Sequence, residues 1–186
     1  MTSVVTITGS PSLPSRSAAL ALHVAKLLRA RGFGLELINV RDLPAEGLLT
    51  GQANDPVIAA AIRQVEGADA VVVVTPIYKA SYTGVLKAFL DVLPQFALTG
   101  KVVLPLATGG TIAHVLALDY ALRPVLVSLG AQHIVNGLFI LDKTLVVSDH
   151  GLSFDADIEQ RLTAIVDDFT ASVERRAAVP PARADV

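Results

Sequence analysis

Cysteine is absent from this 186-residue chain, and tryptophan is absent as well. Without cysteine the protein has no disulfide bond, no thiolate nucleophile and no cysteine-ligated metal site. Four histidines are present, but no pair of them has the spacing of metal ligands, so we predict no metal site.

Charge of either sign is also scarce. Lys, Arg, Asp and Glu make up 17% of the residues, and the formal net charge is −2. This balance gives no electrostatic reason to expect a nucleic acid or an anionic membrane as partner. The longest apolar region, Val115–Ala131, is interrupted by Asp119, Arg123 and Pro124, which argues against a membrane span. The first residues lack the basic segment of a secretory signal, so we expect a cytoplasmic protein.

Apolar residues, in contrast, make up 52% of the chain, and the mean hydropathy is +0.57. A parallel sheet covered by helices accounts for such values, because its strands are buried on both faces. Burial of further surface in an oligomer accounts for them too. The length fits one domain, which we assign to residues 1–176, followed by a disordered tail at 177–186.

Strand and helix patterns alternate along the domain. The predicted strands are Val4–Thr8, Leu35–Val40, Ala70–Thr75, Lys101–Ala107 and His133–Ile140. The continuous β-branched run of Ala70–Thr75 places that strand at the centre of the sheet. The predicted helices cover residues 16–31, 56–66, 85–93, 112–129 and 155–176. The second of them starts at Asp55-Pro56, with Asp as N-cap and Pro at the first helical position. Five strand-then-helix units predict an α/β fold with an open, doubly wound parallel sheet. In such a sheet, ligands bind in the crevice at the carboxyl ends of the strands.

The first predicted strand runs into a turn that is rich in serine. After Gly9 come Ser10, Ser12, Ser15, Arg16 and Ser17, which lead into the first helix. The N–H groups of a helix start, together with hydroxyls and a guanidinium, form a natural anion site. An ordinary strand-to-helix turn with Ser and Pro as caps is the alternative, and this stretch alone does not decide between the two.

Glycine is missing from the positions in this turn where a dinucleotide site requires it. Pro11 and Pro14 stand there instead, and the second strand ends in Asn39 rather than in an acid that would bind a ribose. These departures disfavour a pyrophosphate-binding Rossmann site. A terminal monophosphate fits hydroxyls and one arginine better, which points to flavin mononucleotide (FMN).

Two further loops of unusual composition follow the third and fourth strands, which lie near the first strand in this architecture. The loop Pro76–Gly84 contains Tyr78 and Tyr82, two of the three tyrosines. We expect its backbone to follow the edge of a planar ring, with one tyrosine near the face of that ring. The loop Thr108–Thr111 contains two successive glycines, which allow a close approach to a ligand. Surface tyrosines and a plain helix-start turn are the alternatives.

Pro124 lies inside the fourth predicted helix. Proline has no N–H to donate and its ring clashes with the carbonyl four residues earlier, which belongs to Tyr120. The sequence therefore predicts that the helix opens near Tyr120, by a kink or a π-bulge. The same helix is apolar on nearly every face, which predicts contact with another subunit.

Together these features resemble the NAD(P)H-dependent FMN reductases of the flavodoxin-like fold. The segments that carry the resemblance are GSPSLPSRS (9–17), TPIYKASYTGVLKAFLD (75–91), KVVLPLATGGTIAH (101–114) and LDYALRPVL (118–126). The last segment is similar to the subgroup that supplies reduced flavin to a monooxygenase in alkanesulfonate desulfonation. The resemblance implies strand order 2-1-3-4-5, FMN and NADPH (or NADH) as reactants, and a dimer or tetramer.

The resemblance also implies roles for individual residues. Ser10, Ser15, Arg16 and Ser17 would bind the phosphate and ribityl end of FMN; Pro76, Ile77, Tyr78 and Lys79 would flank its isoalloxazine ring; Thr108, Gly109 and Gly110 would contact its pyrimidine side. Reductases of this family have an inserted tyrosine in a π-helix at a tetramer interface, implicated in flavin exchange, and Tyr120 matches it. No catalytic side chain is implied, because hydride transfer is chemistry of the two cofactors.

Two other functions remain open at this point. One is an enzyme that keeps FMN bound and reduces a quinone, an azo dye or a metal oxyanion. The other is a flavodoxin-type electron carrier. Small carriers commonly steer their partners with a strongly charged face, so the near-neutral charge disfavours the carrier.

Overall fold

The computed structural model describes residues 1–148 and 151–178. Of the predicted disordered tail, residues 179–186 lie outside the described residues. Ala177 and Ala178 belong to the last helix.

A mostly parallel sheet forms the centre of the domain. Its parallel strands are β1 (Ser3–Thr8), β2 (Gly34–Asn39), β3 (Ala70–Tyr78), β5 (Val102–Gly109), β6 (His133–Ile134) and β7 (Leu138–Leu141), and a short antiparallel strand β4 (Ser81–Tyr82) pairs with β3. The spatial order is β2-β1-β3-β5, and both β6 and β7 pair with the far edge of β5. Here β5 is the fourth predicted strand, and β6 and β7 are two pieces of the fifth, so this is the flavodoxin-like order 2-1-3-4-5. The predicted fold is confirmed.

The division of the predicted strand His133–Ile140 has a physical cause in its neighbour. β6 pairs with β5 as far as Val103, and β7 resumes the pairing at Leu106. Between these two residues lies Pro105, which has no N–H to donate to a ladder. At the gap the chain passes very close to β5, since a Cβ on Gly137 would lie 2.6 Å from the Pro105 carbonyl oxygen.

Helices cover both faces of this sheet. They are α1 (Arg16–Ala30), α2 (Ala45–Leu49), α3 (Pro56–Gly67), α4 (Gly84–Val92), α5 (Arg123–Ser128) and α6 (Ala156–Ala178). Along β3, Val71 and Val73 pack in one apolar cluster with α3, α4 and α5, whereas Val72 and Val74 pack in a second cluster with α1 and α6. The unbroken apolar run of β3 therefore reflects burial on both faces.

The helix starts follow from capping side chains. The Asp55 carboxylate accepts hydrogen bonds from the N–H groups of Val57 (2.8 Å) and Ile58 (3.2 Å), and Pro56 occupies the first helical position. Carboxylates at this position satisfy N–H groups that have no partner within the helix. The start predicted at Asp55-Pro56 is thus confirmed.

An antiparallel hairpin, which the sequence patterns did not predict, precedes α6. Its strands are β8 (Leu145–Ser148) and β9 (Gly151–Phe154). The ring of Phe154 meets the ring of His23 on α1 edge to face, with the centroids 5.0 Å apart. Burial lowers the pKa of His23 below its ordinary value. The hairpin thereby packs against α1, next to the serine-rich turn.

The predicted loop after β3 is instead a tight hairpin. β3 continues to Tyr78, which pairs with Ser81 in β4. The two residues of the turn, Lys79 and Ala80, have φ angles of +51° and +62°. A two-residue hairpin turn with both φ values positive normally contains Asn or Gly, and here neither residue is present.

This backbone strain leads to a prediction. Ala80→Gly should raise the free energy of unfolding by about 0.5–1 kcal/mol, because the left-handed conformation disfavours residues with a Cβ by about 1–2 kcal/mol and the greater freedom of unfolded glycine offsets part of that gain. Urea unfolding measures the change. Gly84→Ala, in open space four residues away, provides a comparison in which a Cβ is added without positive φ.

The fourth predicted helix, 112–129, is divided into three parts. A 3₁₀ turn covers Ile112–His114, a π-helix covers Leu118–Leu122, and α5 follows. The N–H of Arg123 donates to the Leu118 carbonyl five residues earlier. The opening predicted at Tyr120 is confirmed, whereas the prediction of a continuous helix is wrong. Pro124 has no N–H to donate to the Tyr120 carbonyl, so the regular hydrogen-bond pattern is interrupted there.

Candidate functional site

The three loops of unusual composition lie side by side at the carboxyl edge of the sheet. β3 separates β1 from β5, and pairing continues to Thr8 with Val74 and to Pro76 with Thr108. The three loops therefore follow neighbouring strands at one edge of the sheet, and we call the space beside them the crevice. In open α/β sheets this edge is where ligands bind.

The phosphate loop, which we define as Gly9–Ser15, connects β1 to α1. Ser10 is buried, and its Oγ accepts a hydrogen bond of 3.3 Å from the N–H of Ser12. Because that hydroxyl accepts from Ser12, its own proton remains available to donate to a ligand. Ser15 caps α1, accepting a hydrogen bond of 3.1 Å from the N–H of Ala18.

The first turn of α1 contains the other two residues predicted to bind phosphate. Ser17 is buried, and its Oγ lies 3.1 Å from Oγ of Ser15. Arg16 is exposed, and its guanidinium makes no hydrogen bond or ion pair with any other residue in the ranges 1–148 and 151–178. Hydroxyls, a helix N-terminus and an uncommitted guanidinium form a donor set that fits a phosphate monoester.

A cleft of about 660 Å³ opens beside this donor set. Its walls are Pro14, Ser15 and Arg16 on one side and the strand β8 on the other. The hairpin therefore completes the surroundings of Arg16. Sequence patterns did not indicate this contact, because β8 is more than a hundred residues away in the chain.

Thr83 connects the phosphate loop to the hairpin loop. Its hydroxyl donates a hydrogen bond of 2.5 Å to the Gly9 carbonyl oxygen and accepts one of 3.2 Å from the N–H of Leu86 in the first turn of α4. The backbone at Gly9 passes so close to α4 that an added Cβ would lie 2.5 Å from the Cβ of Leu86. Thr83 was not among the predicted site residues, although a threonine before an apolar helix is a typical N-cap.

The hairpin residues predicted to flank a planar ring differ in exposure. Ile77 is buried, Pro76 is half-buried, and Lys79 is exposed at the turn. Tyr78 is 48% exposed, and its hydroxyl lies 3.4 Å from Oγ of Ser12 in the phosphate loop. Tyr78 therefore spans the space between the two loops.

Tyr82, the other tyrosine of this loop, is half-buried in β4. Burial raises the pKa of its phenol above the ordinary value, so the group stays protonated near neutral pH. Its strand contacts the π-helix that contains Tyr120. The hairpin and the π-helix are thus parts of one packed unit.

The glycines of the third loop differ from each other. A Cβ on Gly109 would lie 2.7 Å from Cζ of Phe139, so glycine at this position is explained by packing against β7. A Cβ on Gly110 would meet nothing within 4 Å, and the φ of Gly110 is not in the positive range. Thr108 is buried. Of the two glycines, only Gly110 borders open space.

An exposed apolar stripe continues from Gly110 along the following helical segment. Its residues are Ile112, Val115, Leu116 and Tyr120, and Tyr120 is 79% exposed. Within the described residues, no group of His, Asp and Glu side chains is arranged to bind a metal ion. Across the same part of the chain, no helix combines the length and hydropathy that a membrane span requires.

Comparison with known proteins gives a consistent result. A family model described as NADPH-dependent FMN reductase matches residues 2–145. The FMN reductase (NADPH) of Escherichia coli strain K12 is 42% identical over 173 residues, which cover 93% of this chain and 91% of that protein. The FMN reductase (NADPH) of Pseudomonas putida strain KT2440 is 43% identical over 175 residues, covering 93% and 89%.

A solved structure agrees with these relatives. The apo form of the NADH:FMN oxidoreductase EMOB superposes with a TM-score of 0.85 at 43% sequence identity, covering 98% of this chain and 92% of that one. The likeness thus extends over the sheet, the helices and all three loops of the crevice.

Proposed function

The chain belongs to the NADPH-dependent FMN reductase family, which is an oxidoreductase family. We propose that it uses FMN as a free substrate and reduces it with NADPH. The uncommitted guanidinium of Arg16 at the start of α1 is the observation that carries the proposal for this crevice. The related bacterial enzymes have NADPH in their names, and EMOB has NADH, so NADH is a second reductant to test.

In this proposal each of the three loops binds a different part of FMN. Donors for the phosphate and ribityl end are Ser10, Ser15, Arg16 and Ser17; the isoalloxazine ring is flanked by Pro76, Ile77, Tyr78 and Lys79; its pyrimidine side meets Thr108, Gly109 and Gly110. When bound, FMN supplies the ring that accepts a hydride from the nicotinamide. The protein contributes orientation and exclusion of water, and no side chain serves as nucleophile or general base.

One assay distinguishes this function from the other two. NADPH consumption is measured in air with and without added FMN, and the protein is then passed through gel filtration. Consumption that saturates with added FMN, by protein that elutes colourless, supports the proposal. A yellow protein that is indifferent to FMN but reduces a quinone favours an enzyme with resident FMN, and no NADPH oxidation under any condition favours an electron carrier.

We further propose that the reduced flavin passes to a partner monooxygenase in alkanesulfonate desulfonation. The resemblance over LDYALRPVL (118–126) and the open crevice support this partner. Mixing the protein with NADPH, FMN, an alkanesulfonate and a flavin-dependent sulfonate monooxygenase should release sulfite. Sulfite release no greater than without this protein would contradict the role.

Tyr120 is proposed to control flavin exchange at an interface between copies of the chain. Its ring is 79% exposed within an apolar stripe, and its π-helix contacts the hairpin that bears Tyr78. Tyr120→Ala should shift the oligomer towards dimers or monomers and raise the FMN content of the purified protein, which gel filtration and flavin absorbance measure.

Phe96→Ala is the matched control for Tyr120→Ala, because Phe96 is another exposed aromatic residue, at 66%, outside this stripe. This variant should leave both the oligomer and the flavin content unchanged. Unaltered flavin content and FMN turnover in Tyr120→Ala would show that the residue has no part in exchange.

A further inference from the structure

Arg41 lies outside the three loops but reaches the phosphate loop from the end of β2. Its Nη1 donates a hydrogen bond to the carbonyl oxygen of Ser12. Its Nε lies 3.6 Å from Oδ1 of Asp42, and the Arg41 side chain is only 17% exposed. A guanidinium is therefore largely withdrawn from water at the edge of the phosphate loop.

The surroundings of Arg41 are otherwise apolar. The side chain lines a groove of about 390 Å³ whose walls include Pro11, Leu48 and Val85. Its Nε is buried and makes no hydrogen bond with any described residue. Burying an N–H without a hydrogen bond is unfavourable, and an apolar side chain would fill such a groove at lower cost. The guanidinium at this position therefore indicates a role other than packing.

Through Ser12, Arg41 is connected to Ser10, one of the proposed phosphate donors. The Ser12 carbonyl that accepts from Arg41 lies on one side of the Ser12 Cα, and the Ser12 N–H on the other side donates to Oγ of Ser10 at 3.3 Å. Holding Ser12 in place therefore supports the contact that directs the Ser10 hydroxyl proton away from Ser12. Arg41 thus supports a donor at the phosphate end, and its charge favours an anion near the loop.

We propose that Arg41 is a positioning residue that makes the site selective for phosphorylated flavin over riboflavin. The inference rests on the proposed FMN reductase function. Arg41 holds the phosphate loop in the shape that presents the Ser10 hydroxyl, and it acts on the phosphate end of the ligand alone. Its removal weakens FMN binding and leaves binding of the ring, common to FMN and riboflavin, nearly unchanged.

The test measures dissociation constants for FMN and riboflavin by flavin fluorescence, without NADPH. Arg41→Met removes the guanidinium and keeps an apolar stem in the groove. It should raise the dissociation constant for FMN about tenfold, equivalent to about 1.4 kcal/mol, and that for riboflavin less than about twofold. Arg63→Met, at an exposed arginine of α3, is the charge-matched control and should change neither.

A second variant keeps the proposal testable if Arg41→Met does not unfold cooperatively. Arg41→Lys retains the charge but ends one bond short of the Ser12 carbonyl and lacks the guanidinium fork, so it should also lose selectivity for FMN. Equal loss of FMN and riboflavin binding, or full selectivity in either variant, would overturn the role of Arg41. A wild-type protein that binds no FMN would instead refute the proposed function.

Discussion

Arg16→Met should raise the dissociation constant for FMN about 10- to 100-fold, because a hydrogen bond to a charged group contributes about 1.5–3 kcal/mol. Arg16 is exposed at the start of α1, so the substitution leaves the core intact. Fluorescence titration with FMN measures the loss. Riboflavin, which has no phosphate, should bind to the variant and the wild type equally well.

The matched control for Arg16 lies on the same helix. Arg29 is exposed in the last turn of α1, so Arg29→Met removes the same charge at the opposite end. This variant should bind FMN like the wild type. An Arg16→Met protein with unchanged FMN affinity, or with a similar loss for riboflavin, would show that the phosphate binds elsewhere.

The two glycines of the third loop should respond to alanine in opposite ways. Gly110→Ala should leave the free energy of unfolding unchanged or raise it by up to about 1 kcal/mol, because alanine lowers the freedom of the unfolded chain. The same variant should weaken FMN binding about tenfold or more, since a methyl group then fills space that the ring requires, at about 1–3 kcal/mol. Urea unfolding and fluorescence titration measure the two quantities.

Gly109→Ala should instead lower the free energy of unfolding by about 1–3 kcal/mol, because the added Cβ overpacks the site at 2.7 Å from Phe139. Adding Phe139→Leu should restore part of the lost stability by removing the ring. If Gly110→Ala binds FMN normally, the ring does not lie against the third loop. If Gly109→Ala is as stable as the wild type, Phe139 does not account for that glycine.

Local chemistry was sufficient to predict most of the fold. The Asp55-Pro56 pair predicted a helix start, and the valine run of β3 predicted a central strand buried on both faces. Pro124 predicted the opening at Tyr120, since its missing N–H acts within one turn. Each of these features depends on residues that are neighbours in the sequence, so a local sequence pattern is sufficient to predict it.

Features that depend on distant partners were not predictable. Thr83 donates a hydrogen bond to the Gly9 backbone, 74 residues away in the sequence, and Arg41 donates one to Ser12, 29 residues away. Neither residue carries a local signal of this contact. Gly109 shows the same limit: a pair of glycines suggests close approach of a ligand, but the structure shows that one of them accommodates Phe139. Whether such a glycine admits a ligand or accommodates a neighbouring side chain depends on the fold, which the two-glycine motif does not show.

Anaerobic reduction distinguishes free FMN as the substrate from FMN that stays bound to the protein. FMN in large excess over the protein is mixed with NADPH without oxygen, and the visible absorbance of FMN is followed together with that of NADPH. If free FMN is the substrate, all of the FMN should be bleached, with one FMN reduced for each NADPH oxidised. Reduction that stops after an amount of flavin equal to the protein would contradict it, because such a protein reduces only flavin that stays bound.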